Sequence, residues 1–178
     1  MPRATPVSPP RPKPLVNSKD SDSVSVSAKL AELGIELPDV VPPLASYVPA
    51  KVHGDLVFTA GQLPLMSGKL PAAGKVGEGP GLVSAADAQS YARQCALNAI
   101  AAAAAAAGGV DKLAGVVKVT GFVASLPDFL GQPGVVNGAS EVLGEIFGEA
   151  GRHARSAVGV PVLPLDSPVE VEVIFSLV

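Results

Sequence analysis

The sequence predicts an α+β domain in which one mixed β-sheet carries two long helices packed on one face. Strand-like segments come before, between and after two helix-period segments, giving the order ββαβαββ behind a short N-terminal helix. Glycine or proline marks the ends of both long helices, as chain stops should. The 178 residues are 48% hydrophobic and 16% charged, enough to bury one sizeable core.

Residues 1 to 25 form a Pro- and Ser-rich leader, expected to be extended and disordered, and 26 to 178 form a single domain. Ser27 to Leu33 reads as a short helix stopped by Gly34 and Pro38. Tyr47 to Val52 and Leu56 to Ala60 read as strands joined by the turn His53-Gly54-Asp55. Gly61-Gln62-Leu63-Pro64 ends the second strand, and a Gly- and Pro-rich loop runs to about Val83. Ser84-Ala-Ala-Asp87 resembles a capping box and opens a helix that runs to Ala107 and stops at Gly108-Gly109. Its alanine run predicts close packing on the sheet. Val116 to Ala124 is β-rich and suits a central strand. Pro133 suits a first helical position, and Val135, Val136, Ala139, Val142, Leu143 and Ile146 follow at helical spacing. Arg155 to Val160 and Val169 to Leu177 are the last two strands. With both helices on one face, the other face is either solvated or covered by a partner subunit. A mean hydropathy of +0.40 favours a partner.

Composition narrows the chemistry. A net charge of -3 without a basic stripe argues against a dedicated nucleic-acid binder. One cysteine, Cys95, permits no intrachain disulfide and fits a reducing compartment. Two histidines and one cysteine, scattered apart, offer no metal-ligand spacing, so no metal is expected. No stretch has the apolar length of a membrane span, and the N-terminus lacks the apolar core of a signal peptide. Arg3, Arg11 and Lys13 are compatible with an organellar transit peptide, but Asp20, Asp22 and the prolines weigh against it, which leaves a cytoplasmic protein as the expectation.

The candidate chemistry lies mostly in the last quarter. Alternation in Val169-Glu-Val-Glu-Val173 puts Glu170 and Glu172 together on one face, either in water or in an intersubunit cleft opposite Arg155. Two neighbouring carboxylates repel unless a cation stands by or one pKa is raised. Arg152 and His153 read as positive charge decorating a helix C-terminus, whereas Arg155 falls where a strand begins. An arginine fork there could grip a carboxylate bidentately, with a glutamate to move a proton. Asn98 and Asn137 interrupt helix patterns as surface accidents or for some cause, and Gly138 beside Asn137 hints that something approaches the backbone there.

The ordered set of segments is more specific than any one residue. Leu56-Val-Phe-Thr-Ala-Gly-Gln-Leu-Pro64, the Cys95-Ala-Leu-Asn-Ala helix, Val117 to Ala124, Arg155-Ser-Ala-Val158, Leu163-Pro164 and Val169-Glu-Val-Glu172 resemble the YjgF/RidA family, the reactive-intermediate deaminases. Val136-Val-Asn-Gly-Ala-Ser140 and Gly148 to Gly159 look like a longer, less characterised branch of it. The resemblance implies a chorismate-mutase-like fold, a homotrimer with ligand clefts between subunits, and no cofactor. It assigns Arg155 to the carboxylate of a 2-imino acid and Glu170 to the water. Tyr47 becomes a pocket tyrosine, Gly61 a loop backbone near the ligand, and Asn137 a helix asparagine near the pocket. Ala157 stands where many members have Cys, and Ala60 where many have Ser, which removes polar options and leaves the carboxylate clamp. The expected function is hydrolysis of reactive 2-imino acids to 2-keto acids and ammonia. The alternative is a non-catalytic trimeric binder or sensor of small carboxylate metabolites. Ribonuclease activity, an older description in this family, fits poorly with an acidic chain lacking a basic groove.

Overall fold

The computed structural model describes residues 24–40 and 46–178, which form three helices and five strands. The leader, apart from Val24 and Ser25, lies outside the described residues. Ser25 caps α1 (Val26–Glu32), its hydroxyl accepting from the Ala28 N–H. Asp111 ties that helix to the domain by accepting from both the N–H and the hydroxyl of Ser27, at 2.8 Å each.

Strands β1 (Ala50–His53) and β2 (Leu56–Thr59) form the expected hairpin around Gly54-Asp55, with Gly54 at φ +59° in the first loop position. The first strand starts at Ala50 and not at Tyr47. Pro49 still accepts from the Ala60 N–H, but it has no N–H of its own to continue the ladder. Tyr47 therefore lies ahead of the strand, at the end of the hairpin where Gly61 follows. Helix α2 (Ala85–Ala107) opens on Ser84, whose hydroxyl accepts from the Asp87 N–H and donates to the Asp87 carboxylate. It closes on Gly108 at φ +84°. Strand β3 (Leu113–Ala124) begins three residues before the expected Val116 because β5 (Val169–Leu177) already pairs there, Leu113 with Leu177 and Gly115 with Ser176; β4 (Ala154–Val160) joins on the other side from Lys118. Helix α3 (Gln132–Phe147) carries Pro133 in its first turn.

The sheet order is β1-β2-β5-β3-β4, antiparallel except for the β3–β4 pair, so the sheet is mixed as predicted. Alternation sorts its faces. Val57, Val119, Val123, Val171 and Phe175 point to α2 and α3 and are fully buried. The alanine run packs as expected, with Ala96, Ala99 and Ala103 at zero exposure. Gly138 is the close approach the sequence hinted at: a Cβ there would overlap the Gln89 carbonyl of α2. Gly121 likewise leaves room on β3 for the Val136 side chain of α3.

The opposite face carries Phe58, Ile174, Glu172, Glu170, Phe122 and Val158, with Phe58 at 39% and Val158 at 43% exposure in the single chain. No helix among the described residues is long and apolar enough to cross a membrane.

Candidate active site, built as two halves

The first half is set by one edge of the sheet. Arg155 pairs with Val119 and Ala157 with Gly121, so both share the helix-facing side of β4. Beneath them α3 presents Pro133, Asn137 and Ser140, at i, i+4 and i+7 on one helical stripe. Arg155 Nη1 donates to Asn137 Oδ1 at 2.8 Å and to Ser140 Oγ at 3.1 Å. Its Nη2 donates to the Pro133 carbonyl at 3.2 Å. These bonds use three of the five guanidinium donors. The Nε–H and one Nη2–H have no acceptor among the described residues, and a pair of guanidinium donors of this kind can take a carboxylate bidentately.

No Asp or Glu among the described residues pairs with Arg155; the ion pairs there are Lys29–Glu32, Arg93–Glu145 and Arg152–Glu149. A half-buried cation held only by neutral oxygens keeps its charge available to an anion. A cleft of about 340 Å³ lies alongside, lined by Ser140, Gly144, Gly151, Arg152, His153 and Arg155. Asn137 thus lies against Arg155. Arg152 meets Glu149 at the surface, while His153 turns inward to Ser140 Oγ at 3.0 Å, which dipole decoration alone did not foretell.

The second half lies on the open face. Glu170 pairs with Phe122 and alternates with the buried Val169 and Val171. Gly61 stands against it so closely that a Cβ would overlap Glu170 Oε1 and come within 2.6 Å of its Cδ. Burial, and then the charge of Glu172, push the Glu170 carboxyl above the usual glutamate range. Asn98 fixes the segment that follows Gly61. Its amide nitrogen donates to the Leu63 carbonyl at 2.8 Å and the Leu65 carbonyl at 3.1 Å, while its Oδ1 accepts from Gln94. It is a buried brace and no surface accident. Tyr47 is 47% exposed at this same end of the sheet.

The two halves do not meet within one chain. Arg155 aligns with Val119 and Glu170 with Phe122, on opposite faces of the sheet. Two strand spacings and three residues separate them, roughly 14 Å in the plane of the sheet.

Residues 27–177 match the family model described as "YjgF/chorismate mutase-like, putative endoribonuclease". The chain belongs to the YjgF/RidA family. Among YjgF/RidA relatives, Protein TCP17 of Trypanosoma cruzi is 41% identical over 159 residues, covering 85% of this chain and 94% of that protein. The crystal structure of Atu1372 from Agrobacterium tumefaciens, a protein of unknown function, is 41% identical with a TM-score of 0.76, covering 86% of this chain and 92% of that one. Escherichia coli TdcF, solved with bound serine, is 26% identical with a TM-score of 0.57, covering 78% of this chain and 94% of that one.

Ser140, His153 and Asn98 are the residues the sequence reading undervalued. The polar stripe Pro133, Asn137, Ser140 was there to be seen at helical spacing. Besides their side-chain partners, His153 meets the Gly151 carbonyl and Asn98 the Leu63 and Leu65 carbonyls, and backbone partners carry no sequence signal.

Proposed function

We propose that this protein is an imine deaminase, hydrolysing 2-imino acids to 2-keto acids and ammonia in clefts between the subunits of a homotrimer. The observation that carries this reading is the Arg155 guanidinium, fixed by α3 with two donors and its full charge left for a carboxylate. The bound serine of TdcF, a small amino acid, supports a ligand of that kind in the family. Because Arg155 and Glu170 face opposite ways in one chain, a complete site takes Arg155, Asn137 and Ala157 from one copy, and Glu170, Gly61 and Tyr47 from the next. The open face with its exposed Phe58 and Val158 is the surface such an assembly covers.

In the proposed reaction Arg155 holds the substrate carboxylate and fixes the imine carbon in the cleft. The Glu170 carboxylate takes a proton from water as the water oxygen bonds to that carbon. The imine enters protonated, so this gives a neutral carbinolamine. Its nitrogen receives the proton back from Glu170 and leaves as ammonia with the C–N electron pair, while the hydroxyl oxygen forms the C=O bond and releases its proton to solvent, leaving a 2-keto acid. Tyr47 closes the pocket. No redox step or electron sink is needed. The test generates 2-imino acids with an amino-acid oxidase and traps them with semicarbazide. The protein should suppress semicarbazone formation, and an unchanged trace across apolar, polar and acidic imines would contradict the reading.

The raised Glu170 carboxyl gives a pH signature of determined sign. Between the ordinary glutamate value and the raised one, the folded chain holds a proton that the unfolded chain has released. Stability therefore falls as pH rises through that window. Glu170→Gln removes this loss, so its Tm should exceed that of wild type at neutral pH and match it below about pH 4. The base must be ionised, so kcat should fall as pH drops through the raised value, and this acid limb should vanish in Glu170→Gln. A Tm difference independent of pH would contradict the burial argument.

The second reading is a non-catalytic binder of small carboxylates. Ala60 and Ala157 favour it by putting no hydroxyl or thiol at those two positions, while the Arg155 clamp serves either role. A 2-keto acid that raises Tm while imines are left untouched would support it.

A further inference from the structure

We infer that Ser140 and His153 are positioning residues, which hold the Arg155 guanidinium with its Nε and free Nη2 donors presented to the ligand carboxylate. The inference rests on Arg155 being the carboxylate clamp, but holds equally for an enzyme or a binder. It starts from the shortest contact in the cluster, His153 Nδ1 to the Gly151 carbonyl at 2.6 Å. A carbonyl can only accept, so Nδ1 carries a proton and the neutral imidazole has its lone pair at Nε2. Ser140 Oγ lies 3.0 Å from that Nε2 and gives it the one hydroxyl proton it has. Its oxygen lone pairs are then left for Arg155 Nη1 at 3.1 Å. Every donor and acceptor in the line is used in one sense, from Arg155 to Ser140 to His153 to Gly151.

The line ends on a fixed point. Gly151 is buried in a 3-10 turn (Gly148–Gly151), and a Cβ on it would meet the Leu143 carbonyl at 2.5 Å and Gly144 Cα at 3.1 Å. The turn is thus pressed onto the α3 backbone, and its carbonyl cannot drift. Arginine has a long, rotamer-rich side chain, and fixing it before the ligand arrives removes an ordering cost from binding. A hydroxyl that donates to His153 is also a better acceptor for Arg155.

Such a relay affects binding of the carboxylate and leaves the Glu170 half alone. Ser140→Ala should raise KM for 2-imino acids about tenfold with kcat nearly unchanged, as loss of equal ground-state and transition-state binding requires. His153→Phe should raise KM in the same direction. Because His153 acts through Ser140, the double variant should be no worse than Ser140→Ala alone. Ser140→Thr keeps the hydroxyl and His153→Gln keeps an acceptor for it, so both should stay near wild type. Calorimetric affinity for 2-oxobutanoate gives the same ranking without turnover, and thermal melting confirms that each variant is folded.

Arg155→Ala run beside them separates two failures. If Arg155→Ala binds as wild type does, or wild type itself binds no 2-keto acid, the clamp reading falls and this inference with it. If Arg155→Ala loses binding while folded Ser140→Ala and His153→Phe keep wild-type affinity and KM, the clamp stands and the positioning role is overturned. Additive losses in the double variant would also overturn the relay.

Discussion

Arg155→Ala is expected to lower kcat/KM for 2-imino acids by about 10²- to 10³-fold, because two charge-assisted hydrogen bonds to the carboxylate vanish together. Stability should change little. Arg155 forms no ion pair among the described residues, and its three acceptors, on Pro133, Asn137 and Ser140, lie where water can replace it. Arg155→Lys should recover only part of the loss, since an ammonium cannot reproduce the planar fork. Steady-state kinetics with thermal melting check both statements. An Arg155→Ala protein that keeps its fold and wild-type turnover would remove the clamp from the account.

Gly61→Ala should lower kcat about 100-fold with KM nearly unchanged, as expected when a general base is displaced. The added methyl would overlap Glu170 Oε1, and only the carboxylate end of that flexible side chain can give way. The backbone at Gly61 is not in the left-handed region, so alanine is tolerated there and the cost falls on the position of Glu170. Asn98 holds the downstream segment by two carbonyls, which prevents the loop from backing off to restore the gap. Combining Gly61→Ala with Glu170→Gln should bring no further loss, because both remove the same group. Independent, multiplying losses would mean that Gly61 acts on the ligand and not on Glu170.

The strand alternation around Glu170, the glycine stops and the capping serine of α2 were all legible in the sequence, because each is a local preference of a few residues. The strand containing Tyr47 was placed three residues early. The missing Pro49 N–H shows its effect only once β2 is alongside. Gly138 was read correctly as a close approach, though its partner, the Gln89 carbonyl, is far away in sequence. The individual residues of the candidate site were legible through their segments. Their division between two faces was not, because it depends on the register of β4 and β5 against β3 and not on spacing along the chain. The same register argument turns a single chain into two half-sites and makes assembly part of the proposed chemistry.

Complementation between inactive variants tests that division most directly. Arg155→Ala and Glu170→Gln chains, carrying different tags, are co-expressed, and the doubly tagged oligomers are isolated and assayed for 2-imino acid hydrolysis. In the proposed ring of three subunits each cleft takes Arg155 from one copy and Glu170 from its neighbour, so every mixed trimer, of either composition, rebuilds one of its clefts, about a third, with both wild-type groups. Activity should therefore rise to about that fraction of wild type, far above either parent. Mixed oligomers no more active than the parents would contradict a site shared between copies.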